Sequence, residues 1–205
     1  MVSGPNTDGS GNVHLPIQEA YSHLDKRAAV LSGLAISGGE PLLSPALSDL
    51  VKKGRSLGLA VKIDTNGTLP DRLKTFIDDI ELRPDMISID IKTSPARYGE
   101  LTIEREAGNF AGVALLRSLA ILKQAAEQGL LRVEYRTVLV PDLVGETEIR
   151  EIGELLPKDA DWQLAPFIPG DCLDPAWNSL QPYSPKEMQR LLACAKSLVP
   201  ETNIR

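Results

Sequence analysis

Two periods of apolar residues alternate along this chain. Short apolar runs recur at 34–37, 59–64, 86–91, 131–140 and 162–165, each of strand length. Between them apolar residues return every three to four positions, as on one face of a helix. The segment 45–57 carries Leu47, Leu50, Val51, Gly54 and Leu57, and 70–80 carries Leu73, Phe76, Ile77 and Ile80. The clearest, 110–128, carries Phe110, Ala114, Leu115, Leu119, Leu122 and Ala126. Segments 147–156 and 185–198 read the same way, and 15–31 is a more polar helix with Pro16 in its first turn. Strands alternating with helices, and apolar enough to be buried on both faces, predict an α/β fold with a parallel sheet and no hairpins. The expected architecture is an open or closed β/α barrel or a doubly wound sheet, with five strands against the eight of a full barrel.

The 205 residues suit one domain, with residues 1–14 as an irregular lead-in and 176–205 as a C-terminal helix region. A net charge of -6 argues against a grip on nucleic acid. No apolar run is long enough to span a membrane, and residues 1–15 lack the features of a secretory signal, so a cytoplasmic protein is expected. The two cysteines, Cys172 and Cys194, read as free thiols. They are too few for a four-cysteine zinc site or a cysteine-only iron–sulfur cluster. His14 and His23 read as surface residues, and two histidines speak against a multi-histidine metal centre.

Ligands of such folds sit at the carboxyl ends of the strands. The first strand ends in Ser37-Gly38-Gly39-Glu40-Pro41, the second in Asp64-Thr65-Asn66-Gly67-Thr68 and the third in Asp90-Ile91-Lys92-Thr93. The fourth carries Tyr135-Arg136-Thr137 and the fifth runs into Pro166-Phe167-Ile168-Pro169-Gly170. Each has a plainer reading. Asn66-Gly67 marks a turn. Asp90 and Lys92 share a face and form a salt bridge as readily as a ligand contact. Arg132, Glu134 and Arg136 alternate like a solvated or inter-element face, and Trp162, Phe167 and Trp177 read as packing. Taken together, the ends offer a backbone edge with a carboxylate for an amine, polar groups for hydroxyls, and cations at Lys92 and Arg136. That set suits a zwitterionic, amino-acid-like ligand carrying a sugar. No dinucleotide or triphosphate loop motif is present.

In order and spacing these four motifs, with Gln163–Gly170 and Leu173-Asp174-Pro175, resemble the radical S-adenosylmethionine enzymes. Within them they look like the glycyl-radical activating branch, above all the anaerobic ribonucleoside-triphosphate reductase activating proteins. The resemblance implies a partial (β/α)6 barrel binding S-adenosylmethionine. Gly38, Gly39 and Glu40 would hold the methionyl amine. Asp90, Lys92 and Arg136 would lie near the ribose and the methionyl carboxylate. Asp64, Thr65 and Asn66 complete the cofactor-binding set, with Asp64, Thr65 and Asp90 resembling a monovalent-cation position. In the family a reduced 4Fe–4S cluster, fed by a low-potential electron donor, cleaves the cofactor to a 5′-deoxyadenosyl radical. That radical takes hydrogen from a glycine of a partner glycyl-radical enzyme such as anaerobic ribonucleotide reductase.

One departure is large. The family's Cys-x-x-x-Cys-x-x-Cys does not occur, and Cys172 and Cys194 lie too late to replace it. Gly4-Pro5 stands where the family has a dipeptide just after the third cysteine. The expectation is therefore a chain lacking the first strand and the cluster loop, unable by itself to ligate the cluster and inactive as written, with an unpaired sheet edge that favours self-association. Two alternatives accompany it: a non-catalytic S-adenosylmethionine-binding remnant, and an unrelated barrel hydrolase or lyase using Asp64, Asp90 and Lys92.

Overall fold

A computed structural model of the chain describes residues 6–7, 13–14, 17–102, 104–170, 172 and 175–205. Gly4, Pro5, Pro16, Leu173 and Asp174, named above, lie outside the described residues.

The elements follow in the order β1 (Asn6–Thr7), β2 (Val13–His14), α1 (Ile17–Arg27), β3 (Gly33–Ile36), α2 (Leu47–Ser56), β4 (Ala60–Thr65), α3 (Pro70–Asp78), β5 (Met86–Asp90), α4 (Arg105–Glu127), β6 (Arg132–Leu139), α5 (Glu146–Leu155), β7 (Asp161–Pro166), α6 (Pro185–Lys196) and β8 (Asn203–Ile204). Strands β3 to β8 form one sheet in sequence order, every neighbouring pair parallel. Each crossover returns the chain to the next position in the sheet, and parallel neighbours need such a crossover rather than a hairpin.

Three expectations are corrected. The sheet has six strands rather than five. The sixth, β8, follows α6 and is two residues long, too short to leave an apolar run in the sequence, and it pairs through Gln163↔Asn203 and Leu164↔Ile204. The lead-in is not wholly irregular, since β1 and β2 pair antiparallel. The strands are also not buried among apolar groups on both faces. Val61, Ile63, Ile87, Ile89, Tyr135, Leu139, Trp162 and Leu164, all nearly inaccessible, line one face under the helices. The opposite face, inside the partial barrel, carries Lys62, Asp64, Ser88, Asp90, Glu134, Arg136 and Gln163. Sharing a face follows from the period of two along each strand and from the pairs Asp64↔Ser88, Ser88↔Glu134, Asp90↔Arg136 and Arg136↔Gln163. A full barrel fills that space with branched aliphatic side chains. Here it is lined with charge.

The apolar face is one continuous core. Leu115, Leu119 and Leu122 of α4 join Ile87, Ile89 and Tyr135 there, and Ile149 and Ile152 of α5 join Trp162. Trp162, Phe167 and Trp177 belong to this packing, as their sequence context suggests. The Trp162 indole N–H donates to Thr137 Oγ1 at 3.1 Å, so the largest buried side chain leaves no orphan donor. His23 is exposed on α1. Among the described residues no helix is long and apolar enough to cross a membrane.

Candidate functional site

The carboxyl ends of β3 to β6 meet in two linked polar assemblies. The first is a staple between the β3 and β4 loops. Gly38 and Gly39 have φ of 100° and 55°, and a Cβ built on either meets nothing within 4 Å. The left-handed turn therefore presents bare backbone toward open space, which glycine permits without strain. The chain then enters a short 3-10 turn at Pro41, capped by Glu40, whose Oε1 accepts from Leu42 N at 3.1 Å. The same oxygen accepts from Thr65 Oγ1 at 2.9 Å, and Oε2 accepts from Asn66 N at 2.8 Å. The Asn66 side chain turns back on its own loop, its Oδ1 accepting from Thr68 N at 2.9 Å and Thr68 Oγ1 at 2.7 Å. So the acid of the Gly-Gly-Glu-Pro edge orients two loops. Thr65 and Asn66 contribute mainly through that scaffold.

The second assembly is an ion network across β4, β5 and β6. Arg136 donates through Nη1 to Asp64 Oδ2 at 3.0 Å and through Nε to Asp90 Oδ1 at 2.8 Å. Lys92 Nζ lies 3.0 Å from Asp90 Oδ2 and its side chain is 46% exposed, which leaves a cation at the mouth. One layer deeper, Glu134 Oε1 accepts from Ser88 Oγ at 2.6 Å and lies 3.4 Å from Lys62 Nζ. Arg205, beside the end of β8, stands 3.9 Å from the same oxygen. Asp64 Oδ1 is buried without a hydrogen-bond partner, its nearest cation being Lys62 Nζ at 3.4 Å.

Charge pairing here outweighs burial. Desolvation raises the Asp64 carboxyl, but the Arg136 hydrogen bond and charge, with Lys62 behind them, bring it below the ordinary value. Burial works against the Arg136 cation, yet Asp90 and Asp64 hold it above its ordinary value. A fixed cation flanked by two carboxylates can orient a zwitterion, whose own charges exchange with those already paired.

The predicted residues Asp64, Asp90, Lys92 and Arg136 are thus brought together, and Gly38, Gly39 and Glu40 border them through the β4 loop. Of the two readings of the row Arg132, Glu134 and Arg136, the inter-element one holds for Glu134 and Arg136. Arg132 is exposed, but the Glu134 side chain is 13% exposed and anchors the deeper layer. Lys62, Ser88 and Arg205 went unnoticed in the sequence, and Glu134 was read only as part of a charged row. The polar alternation Lys62, Asp64 and Glu134, Arg136 was the visible signal for Lys62 and Glu134. Cys172 and Cys194 are free thiols, as expected. Cys194 is buried on α6, and desolvation raises its thiol pKa.

No family model matches the sequence. Two proteins of Methanocaldococcus jannaschii, each provisionally named a glycyl-radical enzyme activating enzyme, are similar to it. One is 29% identical over 193 residues, covering 93% of this chain and 77% of the relative. The other is 30% identical over 160 residues, covering 78% of this chain and 54% of the relative. Among solved structures, Streptococcus suis SuiB superposes with a TM-score of 0.63 at 15% identity, over 95% of this chain and 44% of SuiB. SuiB has also been solved bound to S-adenosylmethionine. Archaeal TYW1 superposes with a TM-score of 0.56 at 18% identity, over 93% of this chain and 68% of that protein. The chain therefore spans less than half of SuiB and about half of the second relative. With six parallel strands in the expected motif order, this chain has the fold of these solved structures, and along most of its length it is a homologue of the two proteins named as glycyl-radical enzyme activating enzymes.

Proposed function

We propose that these residues form the S-adenosylmethionine-binding part of a glycyl-radical activating protein of the anaerobic ribonucleotide reductase type. The observation that carries the reading is the Asp64–Arg136–Asp90–Lys92 ring beside the open Gly38-Gly39 backbone. The residues fit the cofactor. A buried carboxylate oxygen without a hydrogen-bond partner, Asp64 Oδ1, lies in the ring with only Lys62 Nζ at 3.4 Å, and it can accept from a donor. Lys92 and Arg136 are the cations for a carboxylate. The Gly38 and Gly39 carbonyls and the remaining acceptor capacity of Glu40 Oε2 suit an ammonium. Asp90 suits ribose hydroxyls.

When bound, S-adenosylmethionine supplies radical chemistry directed at a partner's glycine. This chain's residues bind and orient it. Arg136 keeps Asp64 ionised and pairs with Asp90, Glu40 sets the separation of the two loops, and the apolar face beneath keeps the ring rigid. The 205 residues hold two cysteines, far apart in sequence, against the three of the family's cluster motif. They do not fit a 4Fe–4S cluster by themselves. Cluster binding and radical formation then require thiolates from outside these residues.

Calorimetric titration with S-adenosylmethionine tests the reading. Binding is expected, weakened about tenfold or more by Asp90→Asn or Lys92→Ala. Absence of binding to the folded wild-type chain overturns it. Capture of anaerobic ribonucleotide reductase in preference to other glycyl-radical enzymes tests the partner. The hydrolase or lyase alternative gains nothing from the site, because Arg136 already pairs with both Asp64 and Asp90.

A further inference from the structure

Behind the ring stands an arginine that the reading above does not use. Arg97 lies in the 3-10 turn Pro95–Glu100, between β5 and α4. A guanidinium has five N–H donors in a fixed fork, and each of the five has an acceptor. Nε and Nη2 hold Glu100 in a bidentate pair, at 3.0 and 2.7 Å. Nη1 donates to Leu143 O at 3.1 Å and to Glu148 Oε1 at 2.9 Å, and Nη2 donates to Asp142 O at 2.8 Å. Asp142 and Leu143 belong to the loop that follows β6, the strand of Arg136. Asp142 has φ of 66°, the one described non-glycine residue in the left-handed region, a conformation that surrounding contacts must hold. Glu148 also accepts from Gly145 N through Oε2 at 2.8 Å, which ties the start of α5 into the same node.

The node reaches the site through Arg97's neighbour. The buried Tyr98 hydroxyl accepts from Lys92 N at 3.1 Å, and Thr93 Oγ1 donates to Leu143 O at 2.7 Å. Lys92 begins the loop that Arg97 clamps onto the β6 loop.

We infer that Arg97 is a positioning residue: by locking the β5 and β6 loops together it sets where Lys92 stands at the mouth of the site. The inference rests on the reading of that site as an S-adenosylmethionine pocket. Arg97 touches no ring residue itself. It acts through the Tyr98–Lys92 bond and the shared Leu143 carbonyl. A lysine would keep the charge but could not reproduce five directed bonds, so Arg97→Lys should behave as Arg97→Ala does.

The test is a double-mutant cycle read by calorimetry with S-adenosylmethionine. Arg97→Ala and Lys92→Ala are each expected to weaken binding about tenfold, and the double variant by little more than either alone. Losses that multiply to about a hundredfold, or an Arg97→Ala protein that binds like wild type, overturn the inference. A Lys92→Ala variant of unchanged affinity overturns the pocket reading instead. A ligand-free readout stands beside it. Amide exchange at Lys92 should quicken about tenfold in Arg97→Ala and in Tyr98→Phe, with the Ile89 amide of β5 unchanged. Tyr98→Phe serves if Arg97→Ala fails to fold. Unchanged exchange at Lys92 in a folded variant counts against the clamp.

Discussion

Thr65 donates its hydroxyl hydrogen to Glu40 across 25 residues of sequence, at 2.9 Å, and this bond joins the first two loops of the site. The glutamate of the Gly-Gly-Glu-Pro edge is therefore a structural acceptor before it is a ligand contact. Oε1 already accepts twice and Oε2 once.

Glu40→Ala removes three acceptor contacts and leaves the N–H groups of Leu42 and Asn66 without them. The expected cost is about 1–3 kcal/mol. Urea unfolding should show a lower midpoint with an unchanged slope. An unchanged midpoint would mean that the staple does not hold in solution.

Arg136→Met should destabilise more than it would at an open surface, because Asp64 and Asp90 would then face each other without their shared cation. Removing one partner of a fully buried pair costs about 3–5 kcal/mol. With Asp90 30% exposed, about 2 kcal/mol is expected after allowance for solvent screening. The Asp64 carboxyl should also titrate at higher pH, which carbon-detected NMR would read directly.

The lowered pKa of Asp64 has a defined pH consequence. A carboxyl that titrates lower in the folded chain than its ordinary 3.8 stabilises the fold fully above that value and loses its contribution as pH falls through the folded value. Stability should therefore decline below about pH 4. Asp64→Asn should flatten that part of the curve, measured as the urea midpoint between pH 5 and pH 2. An equally steep decline in Asp64→Asn would assign the acid sensitivity to other carboxylates.

Gly67 turns the β4 loop at φ of 73°, and a Cβ there would sit 2.7 Å from Ile89 Cδ1 and 3.0 Å from Leu115 Cδ1. Gly67→Ala combines a left-handed backbone with overpacking of the core. It should cost about 2–4 kcal/mol, with a matching drop in melting temperature. A variant as stable as wild type would show that the loop can move off the core.

Much of the site could be read from the residues because its side chains come from strand ends, where motif and position coincide. Asp64 and Asp90 stand at the carboxyl end of a recognisable apolar run, Lys92 lies just beyond one and Arg136 lies within one. Glu134 and Ser88 were harder to assign, since a polar residue within a strand looks the same whether its face meets water or a charged lumen. Arg205 and the Arg97 node left no local signal. Their partners lie on other elements, and the contact between Arg97 and Glu148 spans 51 residues.

By itself the sequence determined the alternation of strands and helices, the parallel sheet and the family motifs, because periodicity and strand-end chemistry are local properties of the chain. Only the tertiary structure decided that one sheet face is polar, that a two-residue strand after α6 completes the six, and that Glu40 is already engaged by Thr65 and Asn66. Those outcomes depend on which residues become neighbours across crossovers of twenty or more positions. A side chain's partner, unlike its period, is written nowhere near it.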